Sequence, residues 1–174
     1  MGLRAFLFSG NLYSRTNKYL HRRQLLRREL IHTLMTQVFD EVEKAISSGN
    51  APFAAIVTDA SYRIVARAHN RANTHTCAIE HAEILAIREA CQNTGQKYLH
   101  GHKIFVNAQS CAMCSVAIIK SGIEEVYFGC PPETSSNPNL YLCAVNEVAD
   151  PKLRITGGLM SDTFLDQVKR GRGA

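Results

Sequence analysis

Two short stretches carry residues able to do chemistry. In Glu80-His81-Ala82-Glu83-Ile84-Leu85-Ala86-Ile87, an imidazole stands two residues before a carboxylate. About thirty residues later comes Cys111-Ala112-Met113-Cys114. Imidazole nitrogen and thiolate sulfur are zinc ligands, and three of them leave the fourth tetrahedral position open. Water on such a position ionises near neutrality, at about pH 7. Glu83 would then stand beside the metal as a proton carrier, not needed as a ligand. The competing reading is a structural zinc completed by His75 or Cys77, and it gives Glu83 nothing to do. A lone Cys-x-x-Cys could also be redox-active or simply buried.

The chemistry needs both stretches at helix starts. Cys111 and Cys114 are three apart and share one helix face. Free N–H groups and the dipole at a helix N-terminus favour thiolate over thiol. Both stretches fit that placement. The pattern predicts one helix from His81 to about Cys91, stopped by Asn93-Thr94-Gly95. It predicts another from Cys111 to Lys120, closed by Ser121-Gly122.

The remaining elements supply a scaffold. Apolar residues recur every four positions at Leu26, Leu30, Leu34, Val38, Val42 and Ile46, which predicts an amphipathic helix over 25–46. Residues 52–59 and 62–68 read as a strand hairpin about an Asp59-Ala60-Ser61 turn. Strands are predicted at 103–107, 125–129 and 153–156, a short helix within 140–148, and a terminal helix over 160–169. A hairpin followed by alternating helices and strands predicts an α/β protein: a three-layer α/β/α sandwich with a five-stranded mixed sheet.

Composition bounds the rest. The 174 residues are 45% hydrophobic and 20% charged, ordinary for one globular domain. No apolar run approaches the roughly 20 residues of a membrane span. The net charge of +5 comes from one end: residues 1–28 hold seven Lys or Arg and no Asp or Glu, which leaves −2 for the remainder. We therefore read 1–28 as a basic N-terminal extension and 29–174 as the functional domain. The extension suits a transit peptide, a basic amphipathic helix, or a leader upstream of a start at Met35. The expected location is the cytoplasm, or an organelle if 1–28 is a transit peptide. Of six cysteines, Cys77, Cys91, Cys130 and Cys143 lack ligand spacing and read as plain, mostly buried thiols. His21, His32, His69, His75, His100 and His102 read as surface or loop residues.

With these motifs in hand, the chain resembles the zinc-dependent nucleobase and nucleoside deaminases of the cytidine-deaminase-like superfamily, whose pattern is His-x-Glu followed by Pro-Cys-x-x-Cys. The likeness runs from about Leu34 to Lys169. It takes in Ala51-Pro52-Phe53-Ala54-Ala55-Ile56-Val57, His69-Asn70-Arg71, both motif stretches, Val126-Tyr127-Phe128-Gly129 and Thr156-Gly157-Gly158. The resemblance implies one zinc per chain on His81, Cys111 and Cys114, with Glu83 as proton shuttle. It implies substrate contacts at Asn70 and at the backbone of Ala82, and a homodimer, for which Val116, Ile118 and Ile119 are a candidate surface.

It implies hydrolytic deamination of a nucleobase or nucleoside, with guanine or a related aminopurine as the first expectation. Adenosine-to-inosine deamination in tRNA, gripped through the basic ends, is the alternative. A non-catalytic binding subunit on the same fold is a third. Three positions depart from the pattern: Ser110 stands for the usual Pro, Gln109 for a frequent Glu, and Ala54 for a usual Gly.

Overall fold

The computed structural model describes residues 9–131 and 153–173, with side chains from residue 17 onward. The predicted helix within 140–148, with Tyr141 and Cys143, lies outside the described residues. The chain divides into two compact units, Met1–Thr33 and Leu34–Ala174.

The first helix, α1, spans Ser9–Ser47 and so begins well before the predicted Leu25. In the first unit its apolar side chains Tyr19, Leu20, Leu25, Leu26 and Leu30 are exposed. The Arg23 guanidinium lies 5.7 Å from the centre of the Tyr19 ring. The predicted apolar stripe thus becomes a core face only from Leu34 onward, where Leu34, Met35, Val38, Val42 and Ala45 are all buried.

The second unit is built on a mixed five-stranded sheet. β1 (Ala54–Thr58) and β2 (Ile64–His69) form the expected hairpin. β1 also pairs antiparallel with β3 (Lys103–Ala108). β3 then runs parallel to β4 (Glu125–Cys130), and β4 parallel to β5 (Arg154–Thr156). The order is β2-β1-β3-β4-β5. Between strands come α2 (Ala82–Thr94) and α3 (Ala112–Ser121), and α4 (Ser161–Gly171) ends the chain.

Side chains alternate across the strands and feed two cores. Ala55, Val57, Ala66, Ala68, Ile104, Val106 and Val126 pack with Leu85, Ala86 and Ala90 of α2 and Ile118 of α3. On the opposite face the Phe105 and Tyr127 rings stack, 4.6 Å between centres. Towards α1 and α4, Phe39 meets Phe164 with ring centres 6.2 Å apart, and Gln167 Nε2 donates to the Phe39 carbonyl at 3.0 Å. Helices on both faces make the three-layer α/β/α sandwich. Ile118 is therefore core, which removes it from the proposed association surface, while Val116 and Ile119 stay half-buried. Phe164 is likewise core.

One glycine fixes how closely α4 approaches the sheet. A Cβ on Gly129 would sit 2.3 Å from the Phe164 ring and 2.4 Å from the Asn107 carbonyl oxygen. Gly95 and Gly122, at φ +67 and +79, end α2 and α3 in the left-handed turn that glycine adopts without strain.

Candidate functional site

The parallel β3–β4 connection places a helix start at the carboxyl end of β3, where open α/β sheets collect ligands. After Ala108 the chain turns through Gln109 and Ser110. The Gln109 N–H donates to the Cys130 carbonyl at 2.9 Å, tying the turn to the end of β4. Cys111, extended at φ −67 and ψ 171, is the N-cap of α3. Its carbonyl accepts from both the N–H and the hydroxyl of Ser115, at 2.9 and 2.8 Å. His81 plays the same part for α2, extended at φ −72 and ψ 152, with its carbonyl taking the Leu85 N–H at 3.1 Å. Neither side chain is spent on capping its own helix. Both are free to turn to each other.

They do so. His81 Nδ1 lies 3.5 Å from Cys114 Sγ and 3.7 Å from Cys111 Sγ. The three donor atoms all fall within 4.8 Å of one another. For zinc bonds of about 2.05 Å to nitrogen and about 2.3 Å to sulfur, tetrahedral angles require an N···S separation of about 3.6 Å. The donor set therefore fits zinc in both chemistry and spacing, with His81 offering Nδ1. Among the described residues this is the one group of three or more candidate ligands, and neither His75 nor Cys77 belongs to it. His75 instead pairs with Glu80, Nδ1 to Oε2 at 3.1 Å.

The local charges suit a cation. A hydrogen bond from Cys114 overcomes burial and, with His81, draws the Cys111 thiol down to about 4. Cys114 is held well above its usual value by donating to Cys111, by burial and by Glu83. The hydrogen bond with Cys111, opposed by burial, raises His81. Protons held by such ligands are what a bound divalent ion displaces.

Glu83 stands in the first turn of α2, only 7% exposed. Burial pushes its carboxyl above the usual range, and the negative Cys111 adds to that. The Ser110 hydroxyl and His81 pull the other way. Ala82, the first residue of α2, is wholly buried and belongs to the core cluster.

Asn70 follows β2 and is buried. Its Oδ1 accepts the Ala72 N–H at 3.0 Å, and its own N–H donates to the Phe53 carbonyl at 2.9 Å. The loop it opens is pinned by a residue that sequence analysis missed, just past the end of α1. Asn50 Oδ1 accepts the N–H groups of Asn73 and Thr74, both at 3.1 Å, and its Nδ2 donates to Thr74 Oγ1 at 2.7 Å. Asn107 was also missed. From within β3 it accepts the Ala54 N–H and donates to the Pro52 carbonyl, each at 2.9 Å, clamping the start of β1. A polar Asn inside an apolar strand was the available signal.

Of the histidines expected at the surface or in loops, His69 departs by lying in a strand, β2, with Nδ1 3.0 Å from Glu41 Oε1, while His102 lies in a loop but is buried. Of the plain thiols, Cys130 is buried, while Cys77 and Cys91 are half-exposed.

Comparison with known proteins bears on this geometry. Residues 28–130 match the family described as the cytidine and deoxycytidylate deaminase zinc-binding region. A tRNA-specific adenosine deaminase of Bacillus subtilis (strain 168) is 38% identical over 95 residues, 55% of this chain and 58% of that protein. The chain thus spans less than two thirds of that relative's length. A solved structure from work on A-to-I editing by tRNA:A34 deaminases superposes with a TM-score of 0.70 at 24% identity, covering 78% of this chain and 99% of the other. A guanine deaminase from Nitrosomonas europaea superposes at 0.68 with 21% identity, covering 80% and 83%. At those identities the two structures establish a shared fold.

Proposed function

The chain belongs to the cytidine and deoxycytidylate deaminase zinc-binding family, and from that premise we propose that it is a zinc-dependent hydrolytic deaminase acting on an aminated base. The observation that carries this is three donors at zinc spacing, with the buried Glu83 two residues after His81 in the first turn of α2. A zinc held by structure alone has no use for a buried carboxyl there.

Zinc, when held by His81, Cys111 and Cys114, supplies the Lewis acidity that makes water nucleophilic near neutral pH. The protein's own residues do the rest. Glu83 takes the proton from the attacking water and passes it to the departing amine, which leaves as ammonia. Burial favours its protonated form, which helps it hold the proton between the two transfers. Asn70 and the Ala82 backbone orient the base. The Asn50 clamp holds the loop that carries Asn70.

For substrate we propose adenosine in RNA, in the manner of the tRNA-specific relatives. The basic extension 1–28 would grip phosphates ahead of the domain 29–174. Free guanine is the second reading, favoured by the fold shared with guanine deaminase. We also propose a homodimer. The test is ammonia release by the zinc-loaded protein from an adenosine-containing anticodon stem-loop, from guanine and from free nucleosides. Release from RNA alone supports the first reading, and release from guanine supports the second. A Glu83→Ala variant that remained as active would overturn the assigned role.

A further inference from the structure

Asn70, to which the deaminase reading assigns a contact with the base, is anchored on two sides. On one, the N–H of the next residue, Arg71, donates to the Glu80 carbonyl at 3.0 Å, and Glu80 directly precedes the ligand His81. On the other, the Asn70 N–H donates to the Phe53 carbonyl at 2.9 Å. Whatever fixes Phe53 therefore bears on where Asn70 stands.

Strand pairing fixes Phe53 only in part. β1 keeps register with β2 as far as Ala54↔His69, but with β3 only as far as Ala55↔Val106. At this end of the sheet β1 has left the β3 ladder, yet Pro52 and Ala54, on either side of Phe53, are both buried. Buried backbone groups need hydrogen-bond partners, and here the ladder no longer supplies them. The Asn107 side chain does. Its Oδ1 accepts the Ala54 N–H and its Nδ2 donates to the Pro52 carbonyl, each at 2.9 Å. One amide carries both an acceptor and a donor, so a single side chain grips the backbone on both sides of Phe53. Asn107 is 1% exposed and lies in β3, the strand that leads into the turn carrying Cys111.

We propose that Asn107 is a positioning residue that, through Pro52, Phe53 and Ala54, sets where Asn70 stands relative to the zinc ligands. Asn70 is then held from both segments that carry ligands: from Glu80 beside His81, and from Asn107 on the strand before Cys111 and Cys114. Asn107 touches neither substrate nor metal in this scheme and acts through Asn70. The inference rests on the deaminase reading above and on the role given there to Asn70.

The experiment uses full-length zinc-loaded protein and has two readouts. In hydrogen exchange followed by NMR, Asn107→Ser is expected to speed exchange of the Ala54 and Asn70 amides about tenfold or more. The Leu85 and Ser115 amides of α2 and α3 should stay protected, and zinc should stay at one per chain. With the RNA stem-loop, or guanine if that is the substrate, the same variant should lower kcat/KM about tenfold. In an Asn70→Ala background it should cost little more, because the two residues act in series. A general loss of stability would instead give additive losses. Additive losses, an unchanged kcat/KM, an unchanged Asn70 amide, or loss of zinc from Asn107→Ser overturns the proposal. If Asn107→Ser does not fold, exchange in the wild type decides. The Ala54 and Asn70 amides should then open together with one protection factor, and separate opening overturns the proposal. If the wild type releases ammonia from none of these substrates, the deaminase reading fails, and the exchange rates still decide whether Asn107 holds Asn70.

Discussion

The division of labour between ligand and proton carrier is argued at single residues. His81, Cys111 and Cys114 meet at zinc spacing, while Glu83 sits beside them in the first turn of α2. Cys114→Ser should therefore abolish zinc binding, read as metal per chain by atomic absorption. A chelator should lower the melting temperature of the wild type more than that of the variant. Glu83→Gln should behave differently, keeping one zinc per chain while turnover falls about 10²- to 10⁴-fold. These four residues were legible in the sequence because their spacing and their place at helix starts are local properties. Asn50 and Asn107 were not, because what they bond lies 23 to 55 positions away in the chain.

Elements position the site through contacts made far from it. At the amino ends of the parallel strands, opposite the end that carries the cysteine ligands, Glu125 of β4 pairs with Arg154 of β5 at 2.9 Å and Lys103 of β3 at 3.7 Å, and accepts from the Tyr127 hydroxyl. Burial pushes the Glu125 carboxyl up, but Tyr127, Arg154 and Lys103 outweigh it and hold it below 4.5. A carboxyl so lowered gives stability that is complete above 4.5 and is lost as pH falls through its folded value. Melting temperature should accordingly drop on acidification below that range, and Glu125→Gln should flatten the drop while lowering stability at neutral pH. Gly129→Ala should destabilise the fold by about 1–3 kcal/mol, measured by urea unfolding, because its methyl meets the Phe164 ring and the Asn107 carbonyl. Most elements were legible to within two residues, since periodicity and the turn residues at Gly95 and Gly122 mark them. The exceptions are the end of α2, at Thr94 instead of about Cys91, and the start of α1, at Ser9, before which no proline stood to break the helix.

Over the whole molecule, charge separates from chemistry. The ligands lie in Leu34–Ala174, while the cationic excess lies in residues 1–28. If that excess serves RNA, replacing Arg22, Arg23 and Arg28 with Ala should weaken stem-loop binding and reduce its dependence on salt, leaving zinc content unchanged. No helix among the described residues is long and apolar enough to cross a membrane. The sandwich itself was legible from the order of elements, because a hairpin followed by strands alternating with helices has few sheets it can form. The substrate was not, since the base-contacting surface depends on backbone placement that residue types do not encode. The most direct test of the central claim is ammonia release by the zinc-loaded protein, with Glu83→Gln as background. We expect release from a purine-containing substrate at one active zinc per chain, lost in the variant. Equal release by the variant, or none from the wild type with zinc fully bound, would contradict the account.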